Sequence, residues 1–318
     1  KLAALKTLLG FLLNVKPRYS IAHSPKQITI TTNDEVLKIA RYPQDAQAVV
    51  VFSADFEMAW AWRYAINKPA TCVEMGLLER ANFPVILSLF NNANIPVTWA
   101  TVGHLLLSRC SCEDNLPHND LPRIPHFRSR IWNFESGDWY DDDPCTNYKR
   151  DPAWYAPDLI SKILESPTEH EIACHSFSHL DFRESVCPRE VAEAELELCK
   201  EIADERGISL RSMVYPGGTR GFYDILAELG FTAYRGRPEP KIELNYPIRK
   251  PRDLWQIPTS TIIGGRLTEW YYPKLALWML KKYLSVAVEK KLVSHYWFHP
   301  SCDNVTLDYI MPALINSV

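Results

Sequence analysis

The segment Ala48-Val49-Val50-Val51-Phe52-Ser53-Ala54 runs without a break into Asp55-Phe56-Glu57. A continuous apolar, β-branched run predicts a strand buried on both faces, because a strand with one wet face alternates instead. Two carboxylates at the end of such a strand cost free energy unless they pair, bind a metal or face a solvated cleft. The segment therefore predicts a parallel sheet and a functional site at one strand end.

Alternation continues outward from this strand. A helix is predicted over Phe83 to Asn92 and a second buried strand over Ile95 to Gly103, with Pro96 near its start. Glu171 to Cys174 reads as a short strand. Pro188 to Arg206 reads as a helix, with Val191, Ala194, Leu198 and Ile202 at helical spacing and Gly207 at its end. Ser212 to Tyr215 is a strand ending in a Pro216-Gly217-Gly218 turn. There follow a helix over Phe222 to Leu229, strands at Phe231 to Tyr234 and Leu254 to Pro258, a helix over Tyr272 to Lys290, and a last strand, Leu292 to Phe298. Repeated strand and helix units predict one α/β domain, a parallel barrel, rather than two domains.

Two regions depart from that rhythm. Residues 108–157 are rich in prolines, aromatics and acids, including Asp138-Trp139-Tyr140-Asp141-Asp142-Asp143, and read as an insertion. A functional loop, a lid and a partner-binding segment stand beside a plain surface excursion as its readings. Residues 1–44 read as an N-terminal extension before a barrel over 45–318. The apolar run Leu8 to Leu13 is too short to cross a bilayer, which takes about 20 residues, and is read as a terminal amphipathic helix packed on the domain. No secretory leader is recognisable there.

With 35 basic and 38 acidic residues among 318, the net charge of -3 excludes a nucleic-acid-binding chain, and no basic stripe contradicts this. Eight cysteines are too sparse for a disulfide scaffold, and Cys110 and Cys112 lack a second close pair to complete a four-cysteine zinc site. Most are read as free thiols in a reducing compartment, which gives a cytoplasmic expectation with no stable membrane insertion.

His175-Ser176-Phe177-Ser178-His179 follows a predicted strand, and two imidazoles four residues apart converge on one metal if the chain between them makes a helical turn. The spacing alone is common. His170-Glu171 does not continue to a histidine at 174, so the His-Glu-x-x-His arrangement of zinc peptidases is absent. More telling is position: Asp55 and Glu57, His175 and His179, Tyr215 to Gly218, and Phe298-His299-Pro300 each fall just after a predicted strand. In a parallel barrel those ends share one face. Two histidines and a carboxylate with an open position form a catalytic coordination set, to which a second carboxylate adds a base and another histidine an acid.

The ordered set of Phe52 to Glu57, Ile95 to Gly103, Glu171 to His179 and Tyr215 to Gly218 resembles the polysaccharide deacetylase family, the NodB homology domain of carbohydrate esterases. The resemblance spans roughly residues 45 to 305. It implies a distorted (β/α)7 barrel and metal-dependent removal of an N-acyl, usually acetyl, group from an amino sugar. On this chain it implies Asp55 as general base, Glu57, His175 and His179 as ligands of a divalent metal, most simply zinc, and His299 as general acid, with the exchange of the Asp55 and Glu57 roles as the alternative. Spacing does not choose between His295 and His299; the Phe-His-Pro context of the family's last block favours His299.

Departures are visible too. The family's third block carries an arginine that orients the base, and Val214-Tyr215-Pro216-Gly217 has none; Arg63 and Arg220 are the candidate substitutes. Gly217 offers a backbone N–H for an oxyanion beside the metal, and Tyr215 lies next to it. Asp253 is a candidate partner for the acid histidine. Trp60 and Trp62, and after them Trp139 and Tyr140, are candidates to stack on a sugar ring, against the ordinary alternative of core packing. Two other functions share the same residues: hydrolysis of a small non-sugar amide or cyclic imide, and carbohydrate binding by a degenerate site.

Overall fold

The computed structural model describes residues 29–32, 35–38, 48–63, 71–114, 116–129, 131–133, 137–236, 247–265 and 272–318. The helix expected within residues 1–15 lies outside them. Strands β1 (Thr29–Thr32) and β2 (Glu35–Lys38) form an antiparallel pair. The chain then enters β3, Val49–Phe56, which is longer than its apolar run. Asp55 thus lies inside the strand, and Glu57 is the first residue beyond it.

Strand β3 sits between β4 (Thr98–Thr101) and β13 (Val293–Phe298), parallel to both. Beyond β4 follow β7 (Glu171–Cys174), β8 (Ser212–Val214), β9 (Ala233–Gly236) and β11 (Trp255–Pro258), all parallel, with β10 (Ile248–Arg249) antiparallel on the outer edge of β11. On the other side of β13 lies β12 (Thr261–Ile262). Only Thr259 and Ser260 separate β11 from β12, so one stretch of chain pairs with β9 at its start and β13 at its end. That stretch closes the sheet. Counting it once, the strands β3, β4, β7, β8, β9, β11–β12 and β13 make the parallel barrel that the alternation predicts, in the distorted (β/α)7 form that the resemblance implies. Its thinnest joint is β7 to β8, where the register holds a single pair, Cys174 with Met213.

Helix α1, Cys72–Ala93, begins eleven residues before the expected Phe83. The early start has a local cause: Thr71 accepts from the Glu74 N–H at 3.2 Å while the Glu74 carboxylate accepts from the Thr71 N–H, a reciprocal cap that the apolar periodicity does not reveal. Gly76 lets the helix lie close to the turn after β3, since a Cβ there would meet the Ala59 nitrogen at 2.9 Å. Below the helix Phe83 and Trp99 pack on Phe56, and Phe90 on Phe52 and Phe298. Helices α2 (Pro157–Leu164), α3 (Arg189–Glu205), α4 (Tyr223–Glu228), α5 (Pro273–Lys290) and α6 (Met311–Ile315) follow. No helix among the described residues is long and apolar enough to cross a membrane.

The segment expected to be an insertion, residues 108–157, is packed against the barrel. Trp132, Trp139, Tyr140 and Tyr155 are almost completely buried, and burying each such ring contributes roughly 2–3 kcal/mol. A surface excursion would expose them. A short hairpin of β5 (Cys112–Glu113) and β6 (Leu116–Pro117) opens the segment, and Cys112 is bonded to Cys145. The remaining six cysteines are free, as expected for most of them; the disulfide pair is the departure, because the insertion folds back on itself and brings together residues 33 apart in sequence.

Candidate active site

Strand β3 delivers Asp55 and Glu57 to the mouth of the barrel, and β7 delivers His175 beside them. Glu57 Oε1 lies 2.8 Å from His175 Nε2 and 3.2 Å from His179 Nε2. His175 Nδ1 donates to the Val214 carbonyl at 2.6 Å, which turns Nε2 toward Glu57 and His179. Burial holds the His179 imidazole down, to about 4. Burial alone would raise the Glu57 carboxyl, but His299, His179 and the hydrogen bonds from His175 and His179 overcome it and hold the group well below the usual carboxylate range. A cation there would need the carboxylate ionised and the facing imidazole nitrogens free of protons.

The two histidines do not converge by the expected helical turn. Ser176 and His179 both adopt left-handed backbone, with φ of 58° and 59°, and the Leu180 N–H returns to Ser176 Oγ at 2.8 Å. Such a loop needs outside support. It comes from Glu195 on α3, whose carboxylate accepts from the N–H groups of Phe177 and Ser178 at 2.8 and 2.9 Å, from the Ser178 hydroxyl and from the Tyr140 hydroxyl. Sequence reasoning missed Glu195. The signal was available, since Glu195 sits among the apolar positions of α3, between Ala192 and Leu196, and is fully buried.

Asp55 is held by Arg235, which meets both carboxylate oxygens, with Nη2 to Oδ2 at 2.6 Å. Arg235 also donates to Ser53 Oγ at 3.0 Å and stacks over Trp297. Of the expected substitutes for the missing arginine, Arg63 instead clamps the carbonyls of Trp60, Trp139 and Ser178, and Arg220 lines the cleft. Arg235 escaped notice because β9 starts and ends two residues later than its apolar pattern, which puts residue 235 inside the strand. Arg235→Met leaves the buried Asp55 charge uncompensated, with an expected loss of about 3 kcal/mol in stability; Arg235→Lys recovers part of it. Denaturant unfolding of the two variants checks this, and equal stability of both with the parent would refute it.

His299 stands at the rim, its side chain 27% exposed, with Nε2 3.6 Å from Glu57 Oε2 and 4.0 Å from Asp55 Oδ2. His295 is turned away: it is buried, with Nε2 on Ser53 Oγ at 2.8 Å and Nδ1 on the Pro258 carbonyl at 3.1 Å. Burial, helped by the Arg235 charge, pushes its imidazole down to about 3, whereas an unfolded histidine titrates near 6.5. Below that value the unfolded chain binds a proton that the folded chain refuses. Stability is therefore full above pH 6.5 and falls toward pH 3, by up to about 1.4 kcal/mol per pH unit from this group. His295→Gln should flatten that slope in unfolding measured across the window; an unchanged slope would count against it.

The cleft over these groups encloses about 650 Å³ and is lined by Trp62, Ile131, Tyr215, Gly217, Arg220 and Trp297, besides the residues above. Gly217 has φ of +58°, and a Cβ there would meet Ile131 at 3.2 Å, so both conformation and space favour glycine. The Tyr215 hydroxyl is already given to the Gly221 carbonyl at 2.8 Å, leaving its ring as wall. Trp60 is not in the cleft: the turn after β3 buries it against Trp154, with its N–H on the Trp154 carbonyl. Trp62, two residues on, faces the cleft instead, 5.8 Å from the His299 ring. Trp139 and Tyr140 are likewise core, and Asp253 pairs with Arg249 at the surface, 2.6 Å away, because the turn before β11 points it outward.

Glu79 was also missed. It lies on the buried stripe of α1, accepts the Glu57 N–H at 2.9 Å, and is driven well above the usual carboxylate range by burial and then by the Glu57 charge. It braces the residue that joins β3 to the site.

Barrel and cleft together define the polysaccharide deacetylase fold. Solved structures share it: one titled putative polysaccharide deacetylase from Mycobacterium smegmatis aligns with a TM-score of 0.59 at 14% identity, covering 88% of this chain and 85% of its own. A probable polysaccharide deacetylase from Pseudomonas aeruginosa PAO1 gives 0.56 at 16%, covering 86% of each chain. A third, titled Puue Allantoinase, gives 0.54 at 14%, covering 86% and 85%. No protein-family model and no curated protein matches the chain.

Proposed function

We propose that this chain is a metal-dependent hydrolase that removes the N-acetyl group from an amino sugar or an N-acetylated glycan. The observation that carries the reading is the division of labour between two neighbouring carboxylates. Glu57 faces the Nε2 atoms of two imidazoles, whereas Asp55 is gripped by Arg235 on both oxygens. This supports Glu57, His175 and His179 as the ligands of a divalent cation, zinc by donor type, and keeps Asp55 for proton transfer. When bound there, the cation would polarise the acyl carbonyl and acidify a water. Asp55, oriented by Arg235, takes the proton of the attacking water. His299, on the exposed rim, gives a proton to the departing amine. Gly217 places a backbone N–H at the cleft wall, and Trp62 and Trp297 offer flat apolar faces to a sugar ring.

Zinc as the metal, the N-acetylated saccharide as substrate, and the division into a 1–44 extension and a 45–318 barrel with its insertion belong to this proposal. So does the cytoplasm as the compartment, on the six free cysteines; the redox state of Cys112 and Cys145 in protein from its native source tests it. The decisive experiment measures acetate release from a panel of N-acetylated mono- and oligosaccharides with metal or with chelator. Chelator-sensitive release is expected, and no release from any member in the presence of metal sinks the proposal. A second reading, hydrolysis of a small non-sugar amide or cyclic imide, is favoured by the structure named an allantoinase sharing the fold; the same assay on such compounds separates the two. The grip of Arg235 on Asp55 supports a working base over the degenerate-site reading.

A further inference from the structure

On the far side of the His175–His179 loop lies a second convergence of donors. His104 Nε2 and His118 Nε2 approach the same oxygen, Asp143 Oδ2, at 2.9 and 2.8 Å, and Cys110 Sγ approaches it at 3.2 Å. The four donor atoms lie within 4.8 Å of one another. We propose that His104, Cys110, His118 and Asp143 form a second, structural site for a tetrahedral divalent cation of the zinc class.

The surroundings are built for it. His104 Nδ1 faces the Trp154 carbonyl at 3.1 Å, which cannot donate, so the proton is on Nδ1 and Nε2 turns inward. Facing a carboxylate at 2.9 Å, that nitrogen needs either a second proton or a cation. An imidazolium would satisfy His104 and Asp143 alone. The His118 N–H and the Cys110 S–H can each donate to the same oxygen, so an ion-free cluster is also held together, in a place where the side chains of His104 and Asp143 are both 0% exposed. What points to an ion is the choice of groups: two imidazoles, a thiol and a carboxylate, the donor types that zinc takes, converge on one point. Around zinc, metal–ligand distances of about 2.0–2.3 Å put neighbouring donor atoms roughly 3.3–3.8 Å apart, so the present cluster would open by about half an ångström to take it in.

The other carboxylate oxygen, Oδ1, is steadied by the Cys145 N–H at 2.9 Å and the Tyr155 hydroxyl at 3.2 Å, the kind of outer support that metal ligands have. The backbone fixes the rest. Cys110 N–H bonds the Thr146 carbonyl at 3.1 Å, and the Cys112–Cys145 disulfide ties the same two stretches. A closed set of two imidazoles, a thiolate and a carboxylate leaves no open position, and thiolate with imidazole selects zinc over magnesium or calcium. Binding would release to solvent the Cys110 thiol proton and the second proton that His104 Nε2 carries beside Asp143 in the ion-free state, and would move no electrons. Both histidine rings pack on Phe177, at 5.5 and 5.0 Å, so the ion would stiffen the wall behind the loop that carries His175 and His179.

The test uses the full chain carrying Glu57→Ala and His175→Ala, which removes the first site and so separates failure here from failure of the proposed function. Loaded with cobalt(II), this variant should keep one tightly held ion and show a thiolate-to-cobalt charge-transfer band with tetrahedral visible absorption. Adding Cys110→Ser should abolish the band; adding His118→Gln should lower cobalt affinity at least tenfold. Circular dichroism identifies any variant that fails to fold. If the double variant does not fold, cobalt is titrated into the parent chain, where a second ion must bring in the band. Absence of the band in folded protein, or its survival after Cys110→Ser, overturns the proposal.

Discussion

Asp55→Asn should lower kcat by about 10²–10⁴-fold while leaving the metal content unchanged. The amide fits the space of the carboxylate but cannot accept the proton of water, and it removes the negative charge that Arg235 grips with two hydrogen bonds. Since Glu57, and not Asp55, faces His175 and His179, metal analysis of the variant separates the two carboxylates. Loss of metal together with activity would reverse their assignment. Retention of more than about a tenth of the activity would remove Asp55 from the chemistry altogether.

The second large effect lies away from the cleft. Glu195→Ala withdraws the acceptor for four donors: the N–H groups of Phe177 and Ser178, the Ser178 hydroxyl and the Tyr140 hydroxyl. Each buried donor left unpaired costs about 1–3 kcal/mol, so a total loss on the order of 4 kcal/mol or more is expected. Because this carboxylate shapes the left-handed loop between the candidate ligands His175 and His179, metal affinity should fall as well. Glu195→Gln keeps one acceptor oxygen and should lie between. Denaturant unfolding and metal titration of the three proteins check the order; a Glu195→Ala chain within about 1 kcal/mol of the parent would refute it.

What could be read in advance follows the physics of each feature. The strands were legible because burial on both faces writes itself as unbroken apolar runs, as in Ala48 to Ala54. The site's central residues were legible because polar groups immediately after such runs are costly without a purpose. Contacts between distant segments left no such mark: Arg235 reaches Asp55 across 180 residues of chain, and Glu195 reaches Ser178 from a helix that looks ordinary in periodicity. Trp60 and Trp62 show the limit at finest scale. They differ only in which way a one-turn helix rotates them, and that is decided by packing against Trp154 and not by their own neighbours in sequence.

The single-pair joint between β7 and β8 gives the site a mechanical side. On one side of it, β8, β9, β11 and β10 form a continuous arc; on the other, β7, β4, β3, β13 and β12 form a second. Backbone pairing scarcely fastens them there, but side chains do: Ser212 to Glu171, His175 to the Val214 carbonyl, and Arg235 to Ser53 and Asp55. Two of these stitches, at His175 and Asp55, are residues of the candidate chemistry. The two arcs are thus laced together in part by the groups that would do the work, so changes that retune the reaction also loosen the vessel, and melting behaviour becomes a readout of the state of the site.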